Sequence, residues 1–202
     1  MKKLKSFFGD FGENLMGNLR EEVFLYEYFR SKDMRGDFSK PWISGWRFSG
    51  LSNLSGLKPE LKTFSIGEIF FTNSKKNVIR GLHYILHPST QRKIIVCLKG
   101  KITDVVVDLR KKSPTYSKYV SLELSEDNNH ALYIGEGFAH GFLTLKDSLL
   151  LYLVDKPYNA KLDRGIRWND PKIGINWGIA KPILSERDET HPFLEEAENT
   201  FI

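Results

Sequence analysis

The chain has 202 residues, 41% of them hydrophobic, 13% aromatic and 27% charged, which is enough apolar material for one core without covalent staples. Its single cysteine, Cys97, excludes an intramolecular disulfide, a zinc ribbon and a redox pair of cysteines. With 30 basic residues against 25 acidic ones the net charge of +5 is spread over a mixed surface, so nucleic acid is not an expected partner.

The first residues, Met1-Lys2-Lys3-Leu4-Lys5, resemble the charged end of a signal peptide, but Asp10 and Glu13 break the apolar stretch that such a peptide needs next. A cytoplasmic chain is expected, with residues 1–20 as an N-terminal extension and 21–202 as one domain. Between Asn18 and Phe29 the apolar positions fit neither the helix nor the strand period cleanly, and both stay open. From Pro41 to Gly67 the chain is rich in Gly, Ser, Trp and Leu. Linkers seldom carry residues such as Trp42 and Trp46, so this stretch reads as irregular structure packed on the sheets.

From about Ile66 the pattern changes to short apolar or alternating runs separated by turn residues, the signature of an antiparallel sandwich or barrel. Ile94 to Leu98 and Ile102 to Leu109 flank Lys99-Gly100-Lys101 and are expected to form a hairpin, with glycine free to take positive φ at the turn. Cys97 lies inside the first run and reads as a small buried apolar residue. Val120, Leu122 and Leu124 alternate with Ser121, Glu123 and Ser125, giving a strand with one wet face. Asp127-Asn128-Asn129 makes a turn before Ala131 to Ile134, and Gly135-Glu136-Gly137 another before Phe138 to Leu145. Lys146-Asp147 then leads into Ser148 to Val154, whose Leu149 to Val154 is the longest apolar run and far short of the roughly 20 residues a membrane helix needs. Connections this short cannot carry helical crossovers, so the sheets should be antiparallel. Pro157 to Arg164 reads as a polar loop, and 181–202 as a tail of prolines, acids and a few apolar residues.

Four groups are expected at strand ends or turns: Arg80-Gly81-Leu82-His83, Gln91 with Lys93, His140 within Gly137-Phe138-Ala139-His140-Gly141-Phe142, and Tyr152 with Tyr158. His83 and His140 each stand beside glycine, where backbone approaches closely and an imidazole can face a cavity. His87, His130 and His191 lack such company and read as structural. A metal-binding cupin would need a His-x-His pair, which is absent, and His83 with His87 ahead of Pro88 should not converge on one ion. No metal is expected.

Taken in order, several blocks resemble one family. They are Asn77-Val78-Ile79-Arg80-Gly81-Leu82-His83-Tyr84, Asp104 to Arg110, Ser113-Pro114-Thr115, Gly135 to Phe142, Trp168-Asn169-Asp170-Pro171 and Leu184-Ser185-Glu186-Arg187-Asp188. Together with a weaker echo at Asp33 to Phe38 they are similar to the dTDP-4-dehydrorhamnose 3,5-epimerases. The resemblance implies a mainly β, cupin-type antiparallel jelly-roll barrel with few short helices, a homodimer, and no cofactor. It also implies inversion of C3 and C5, or C3 alone, in a nucleotide-linked 4-keto-6-deoxy sugar. Such a substrate needs no cofactor, because its own C4 ketone acidifies the neighbouring C–H bonds; the protein must add a base, an enolate stabiliser and an acid.

By that resemblance the base is His83, its orienting partner Asp188, the acid Tyr152 and the cation near the enolate Lys93. Arg80 and His140 match sugar-binding positions, Tyr158 the ring that stacks on the nucleotide base, and Asp163 and Arg187 nucleotide contacts. Arg35 matches the arginine that reaches the diphosphate across the dimer. Two features depart from the pattern: Lys40 stands where the family has a glutamate that helps read thymine, and Ile69-Phe70-Phe71-Thr72-Asn73 replaces a Gln-Asp-Asn stretch. A guanosine or cytidine diphosphate sugar is therefore an alternative to dTDP, and a heptose to a hexose. A reading of another class is a carbohydrate-binding jelly roll that has lost turnover.

Overall fold

A computed structural model describes residues 22–34, 36–41 and 64–202. The N-terminal extension, Arg35 and the Trp42/Trp46 stretch lie outside these residues.

Among the described residues twelve strands succeed one another: β1 (Val23–Glu27), β2 (Phe29–Asp33), β3 (Gly36–Lys40), β4 (Glu68–Ser74), β5 (Ile79–Ile85), β6 (Lys93–Lys99), β7 (Lys101–Asp108), β8 (Tyr119–Ser125), β9 (His130–Ile134), β10 (Phe138–Thr144), β11 (Ser148–Val154) and β12 (Asp163–Gly165). Helix α1 (Glu186–Thr190) comes after them. One five-stranded sheet has the order β1-β9-β6-β11-β4 and the other β12-β5-β10-β7-β8, while β2 and β3 form a separate hairpin. Every strand pair is antiparallel. The segment from Val23 onward, whose apolar period fits neither element cleanly, is strand.

The expected hairpin around Gly100 does not form. β6 pairs with β9 and β11, and β7 with β10 and β8, so the chain turns a corner at Gly100 and passes from one sheet to the other. The same happens at almost every short connection from β4 to β12, where only β7 and β8 are both consecutive and paired. This alternation defines the jelly roll. Gly100 alone connects the two strands, and a glycine there serves a sheet-to-sheet corner as well as a hairpin. At Gly100 φ is +84°, and a Cβ there would stand 2.2 Å from the Asp147 carbonyl oxygen, so the corner is closed by the β10–β11 turn as well.

Side-chain alternation fills the space between the sheets. Ile95 and Cys97 of β6, Ile102 and Val106 of β7, Val120, Leu122 and Leu124 of β8, Phe138 and Phe142 of β10, and Leu150 and Tyr152 of β11 belong to one buried cluster. Ser121 and Glu123 of β8 alternate with that buried set and stay partly exposed, as expected for a wet face, whereas Ser125, expected on the same face, is buried. Both outer faces are covered too. Ile94, Val96, Tyr133 and Leu153 pack with Tyr26, Tyr28 and Phe64, whereas Leu82, Val105, Val107 and Leu109 pack under Ile166, Trp177, Leu194 and Phe201. The segment after β12 is thus a structural lid on the second sheet rather than a free tail. Cys97 is buried, and burial pushes its thiol up to about 12.

A polar knot ties the β7–β8 loop. The fully buried Asp108 carboxylate accepts hydrogen bonds from the Arg110 guanidinium, Ser113 Oγ at 2.6 Å and Thr115 Oγ1 at 2.6 Å. Burial alone would raise its pKa, but these donors outweigh it and hold the carboxyl below its ordinary range. A depressed folded pKa means stability that is present above the unfolded value of about 3.9 and lost as pH falls through the folded one. Asp108→Asn is expected to cost roughly 1.5–3 kcal/mol at neutral pH, the worth of hydrogen bonds to a charged group. Urea midpoints should show the gap between variant and wild type narrowing below about pH 4.

Candidate active site

The site starts from two glycines. Gly81 of β5 has φ +126°, and a Cβ on it would stand 2.6 Å from the Gly141 Cα; one on Gly141 would stand 2.8 Å from the Arg80 carbonyl oxygen. The bare backbones let β5 and β10 press together where their register shifts between His140 and Phe142. As a result His83 lies directly opposite His140. Neither histidine is at a strand end, and neither is Tyr152: all three sit within strands.

His83 opens onto a cleft of about 330 Å³ lined by Glu68, Phe70, Lys93, Tyr158, Asp163 and Arg187 among others. Its Nε2 lies 2.6 Å from Asp188 Oδ1. That carboxylate is supplied by α1, which packs beside β5. Ser185 is the N-cap of the helix, accepting from the Asp188 backbone N–H at 3.1 Å and donating its hydroxyl to Asp188 Oδ2 at 2.9 Å. One hydroxyl therefore both starts the helix and fixes the carboxylate with Oδ1 toward the imidazole. Burial raises the Asp188 pKa, yet the hydrogen bonds from His83 and Ser185 win and keep the carboxylate ionised well into acid.

Lys93 enters the cleft from β6. Burial lowers its pKa, while the negative charges of Asp163 and Asp104 work in the opposite sense. At the mouth, Asp163 Oδ2 accepts from the Tyr158 hydroxyl at 2.8 Å and from Arg187 at 2.6 Å, and the Tyr158 backbone N–H donates to Glu68. These contacts tie the β11–β12 loop, β12, β4 and α1 into one rim.

Tyr152 and His140 lie deeper, inside the barrel, with rings edge to face at 6.1 Å. Phe70, which lines the cleft, stacks on Tyr152 at 4.6 Å and 7°. Burial pushes the phenol well above its usual pKa, and the charge of Asp104 pushes it further. Arg80 is exposed, donates its Nε to Ser74 Oγ at 2.9 Å, and lies near enough for its charge to act on Tyr152. Lys40 ends β3 with its ammonium 5.3 Å from the Phe38 ring centroid.

Two further polar residues belong to this region, and sequence reasoning does not mark either as a site residue. Asp104 is fully buried, with Oδ2 2.9 Å from His140 Nε2 and Oδ1 without a partner among the described residues. Burial raises its pKa, and His140 and Lys93 pull it down. A signal does exist: on β7 the acid occupies an inward position between Ile102 and Val106. His191, which reads as structural in the sequence, stands 3.7 Å from Asp188 Oδ1, its ring edge to face with His83 at 5.5 Å. By contrast His87 is exposed against Phe201, and His130 is 3.8 Å from Glu27 on the first sheet.

An imidazole–carboxylate pair, a lysine at one wall and a buried phenol in a jelly roll make a site equipped to take and give protons. Comparison with known proteins gives the family. The model of dTDP-4-dehydrorhamnose 3,5-epimerases matches residues 20–196, and the chain belongs to that family. It is 40% identical over 182 residues to a dTDP-4-dehydrorhamnose 3,5-epimerase of Sinorhizobium fredii, covering 89% of each chain. Among solved structures, the dTDP-4-dehydrorhamnose 3,5-epimerase of Sulfolobus tokodaii superposes with a TM-score of 0.76 at 36% identity, covering 88% of this chain and 93% of that one. ChmJ, a 3'-monoepimerase from Streptomyces bikiniensis, superposes with a TM-score of 0.74 at 28% identity, covering 86% and 84%. Among the described residues no helix is long and apolar enough to cross a membrane.

Removing the Ser185 hydroxyl should act on both of its contacts. Ser185→Ala is expected to lower stability by about 0.5–2 kcal/mol through the lost cap, and to lower kcat through a loosened Asp188. Ser185→Thr should restore both in thermal melts and turnover assays.

Proposed function

We propose that the protein epimerises a nucleotide-linked 4-keto-6-deoxy sugar at C3 and C5, or at C3 alone, in deoxysugar synthesis for surface polysaccharide. The observation that carries this reading is the 2.6 Å contact between His83 and the buried Asp188 at the wall of a cleft that also holds Lys93. Because Nε2 faces Asp188, the neutral imidazole keeps its proton there and presents the Nδ1 lone pair as base. Nδ1 removes the proton next to the C4 ketone, and Asp188 stabilises the imidazolium that forms. The electron pair moves onto the C4 oxygen, where the Lys93 ammonium stabilises the enolate. Tyr152, kept protonated by burial, delivers its proton to the opposite face of the carbon, and solvent restores both groups.

Arg80 and His140 hold the sugar in this reading, and His140 takes its tautomer from Asp104. The rim formed by Tyr158, Asp163 and Arg187 receives the nucleotide, with Tyr158, 56% exposed, available to stack on the base. Arg35, outside the described residues, is assigned to the diphosphate by the family resemblance alone. The nucleotide is dTDP in the first instance; Lys40 and the apolar residues of β4 are the reason to compare GDP and CDP. All of this takes place in the cytoplasm in a homodimer. Support for the dimer comes from exposed apolar side chains on the β2–β3 hairpin and the β4 edge, with Phe38 58% and Phe71 71% exposed.

The test is NMR of dTDP-4-keto-6-deoxyglucose with the protein in deuterium oxide, tracking label at C3 and C5 separately. His83→Ala should slow exchange at both carbons by roughly 10²–10⁴-fold while nucleotide binding persists. Tyr152→Phe should slow epimerisation more than exchange, because the base remains. No exchange with any dTDP-, GDP- or CDP-linked 4-keto sugar would favour the binding-module reading instead. Calorimetry with the three free nucleotides is expected to rank dTDP first, and a preference for GDP or CDP would reassign the pocket.

A further inference from the structure

His191 is the one imidazole in this region without a role in the reaction, and its setting is unusual. Its Nε2 is buried and has no hydrogen-bond partner among the described residues. The nitrogen lies 3.7 Å from the same Asp188 Oδ1 that faces His83, too far for a hydrogen bond. The ring occupies space that a side chain on β12 would otherwise fill: a Cβ on Gly165 would stand 2.2 Å from Nε2. Gly165 is paired with His83 across β5 and β12, so the bare glycine brings the second imidazole up to the first.

We propose that His83, Asp188 and His191 form an inhibitory site for a divalent transition metal of the zinc class. Each residue offers one donor atom, and the three atoms lie within 4.8 Å of one another. Around tetrahedral zinc with bonds near 2.0–2.1 Å, donor atoms stand roughly 3.3 Å apart. The contacts of 2.6 Å and 3.7 Å to Asp188 Oδ1 bracket that spacing, and the two imidazole donors, within 4.8 Å of each other, close toward it by side-chain rotation. Two imidazoles and one carboxylate select zinc, copper or nickel over magnesium and calcium. Ser185 already holds Oδ2, which leaves Oδ1 as the ligand atom and supplies the outer hydrogen bond that metal-bound carboxylates need. Water completes the fourth position.

Metal binding changes which nitrogen of His83 carries the proton. A metal ion on Nε2 takes that nitrogen's lone pair, and the single proton of the neutral imidazole moves to Nδ1. The lone pair that serves as base is gone, with no proton gained or lost. The metal lies on the Asp188 side of the ring and takes no ligand atom from Tyr158, Asp163 or Arg187, so the rim keeps its hydrogen bonds. Inhibition should therefore lower kcat and spare nucleotide affinity. This effect on turnover rests on the epimerase reading, whereas metal binding does not.

The experiment uses the full chain stripped of metal by chelation, titrated with ZnCl₂ by calorimetry without substrate and checked by elemental analysis after dialysis. We expect one zinc per chain, unchanged dTDP affinity in its presence, and loss of proton exchange over the same zinc range. His191→Phe keeps the ring volume and removes the ligand; it should weaken zinc by more than about tenfold and relieve inhibition in proportion. Substoichiometric zinc, or a His191→Phe titration matching wild type, overturns the site. Should that variant fail to fold, CoCl₂ with the wild-type chain decides. The visible bands of tetrahedral cobalt bound by nitrogen and oxygen support the site, and an octahedral hexaaqua spectrum overturns it. Zinc binding as described without any exchange activity would sink the epimerase reading and leave the metal site standing.

Discussion

The contact on which the site depends is made by backbone alone, where Gly81 of β5 meets Gly141 of β10. Any side chain at either position would push the strands apart or demand that main chain move. Because neither has one, the two strands cross at a bulge that aims His83 at the cleft and His140 at the interior. From there the constraints propagate outward. His83 needs Asp188, Asp188 needs the Ser185 cap, and the cap exists only if the segment after β12 lies down on the second sheet through Trp177, Leu194 and Phe201.

The barrel separates two electrostatic environments. At the mouth, charges meet in pairs that solvent can reach, as Arg187 meets Asp163, and their individual worth to stability is small. Inside, Asp104 is fully buried beside His140, with one oxygen unpartnered among the described residues. A carboxylate there is unfavourable for folding and is tolerated because the surrounding cluster of Ile102, Val106, Phe142 and Leu150 supplies the stability. The same burial that penalises Asp104 keeps the Tyr152 phenol protonated.

Much of this is legible in the residues. The alternation in β8 and the runs of β6, β10 and β11 announce an antiparallel β protein, and the Arg-Gly-Leu-His and Gly-Phe-Ala-His-Gly-Phe blocks mark the two strands that meet at the site. Which sheet each strand joins is not legible. Lys99-Gly100-Lys101 is chemically a good hairpin turn, and only the competition of β9 and β11 for β6 converts it to a corner. His191 is hidden for a related reason. Its company is Asp188, three residues before it on a helix end, and His83 and Gly165, which are near only after β5 and β12 pair. Asp104 can be found locally, since an acid at an inward strand position is an exception that asks for a reason.

The carboxylate that hydrogen-bonds His83 lies 105 residues beyond it in the chain. During synthesis, therefore, β11 leaves the ribosome well before α1, and until Asp188 arrives the His83 imidazole lacks its carboxylate partner. The hydrogen bond forms only once α1 has emerged and docked beside β5. A chain cut short before Asp188 would keep His83 and lack the group that orients it.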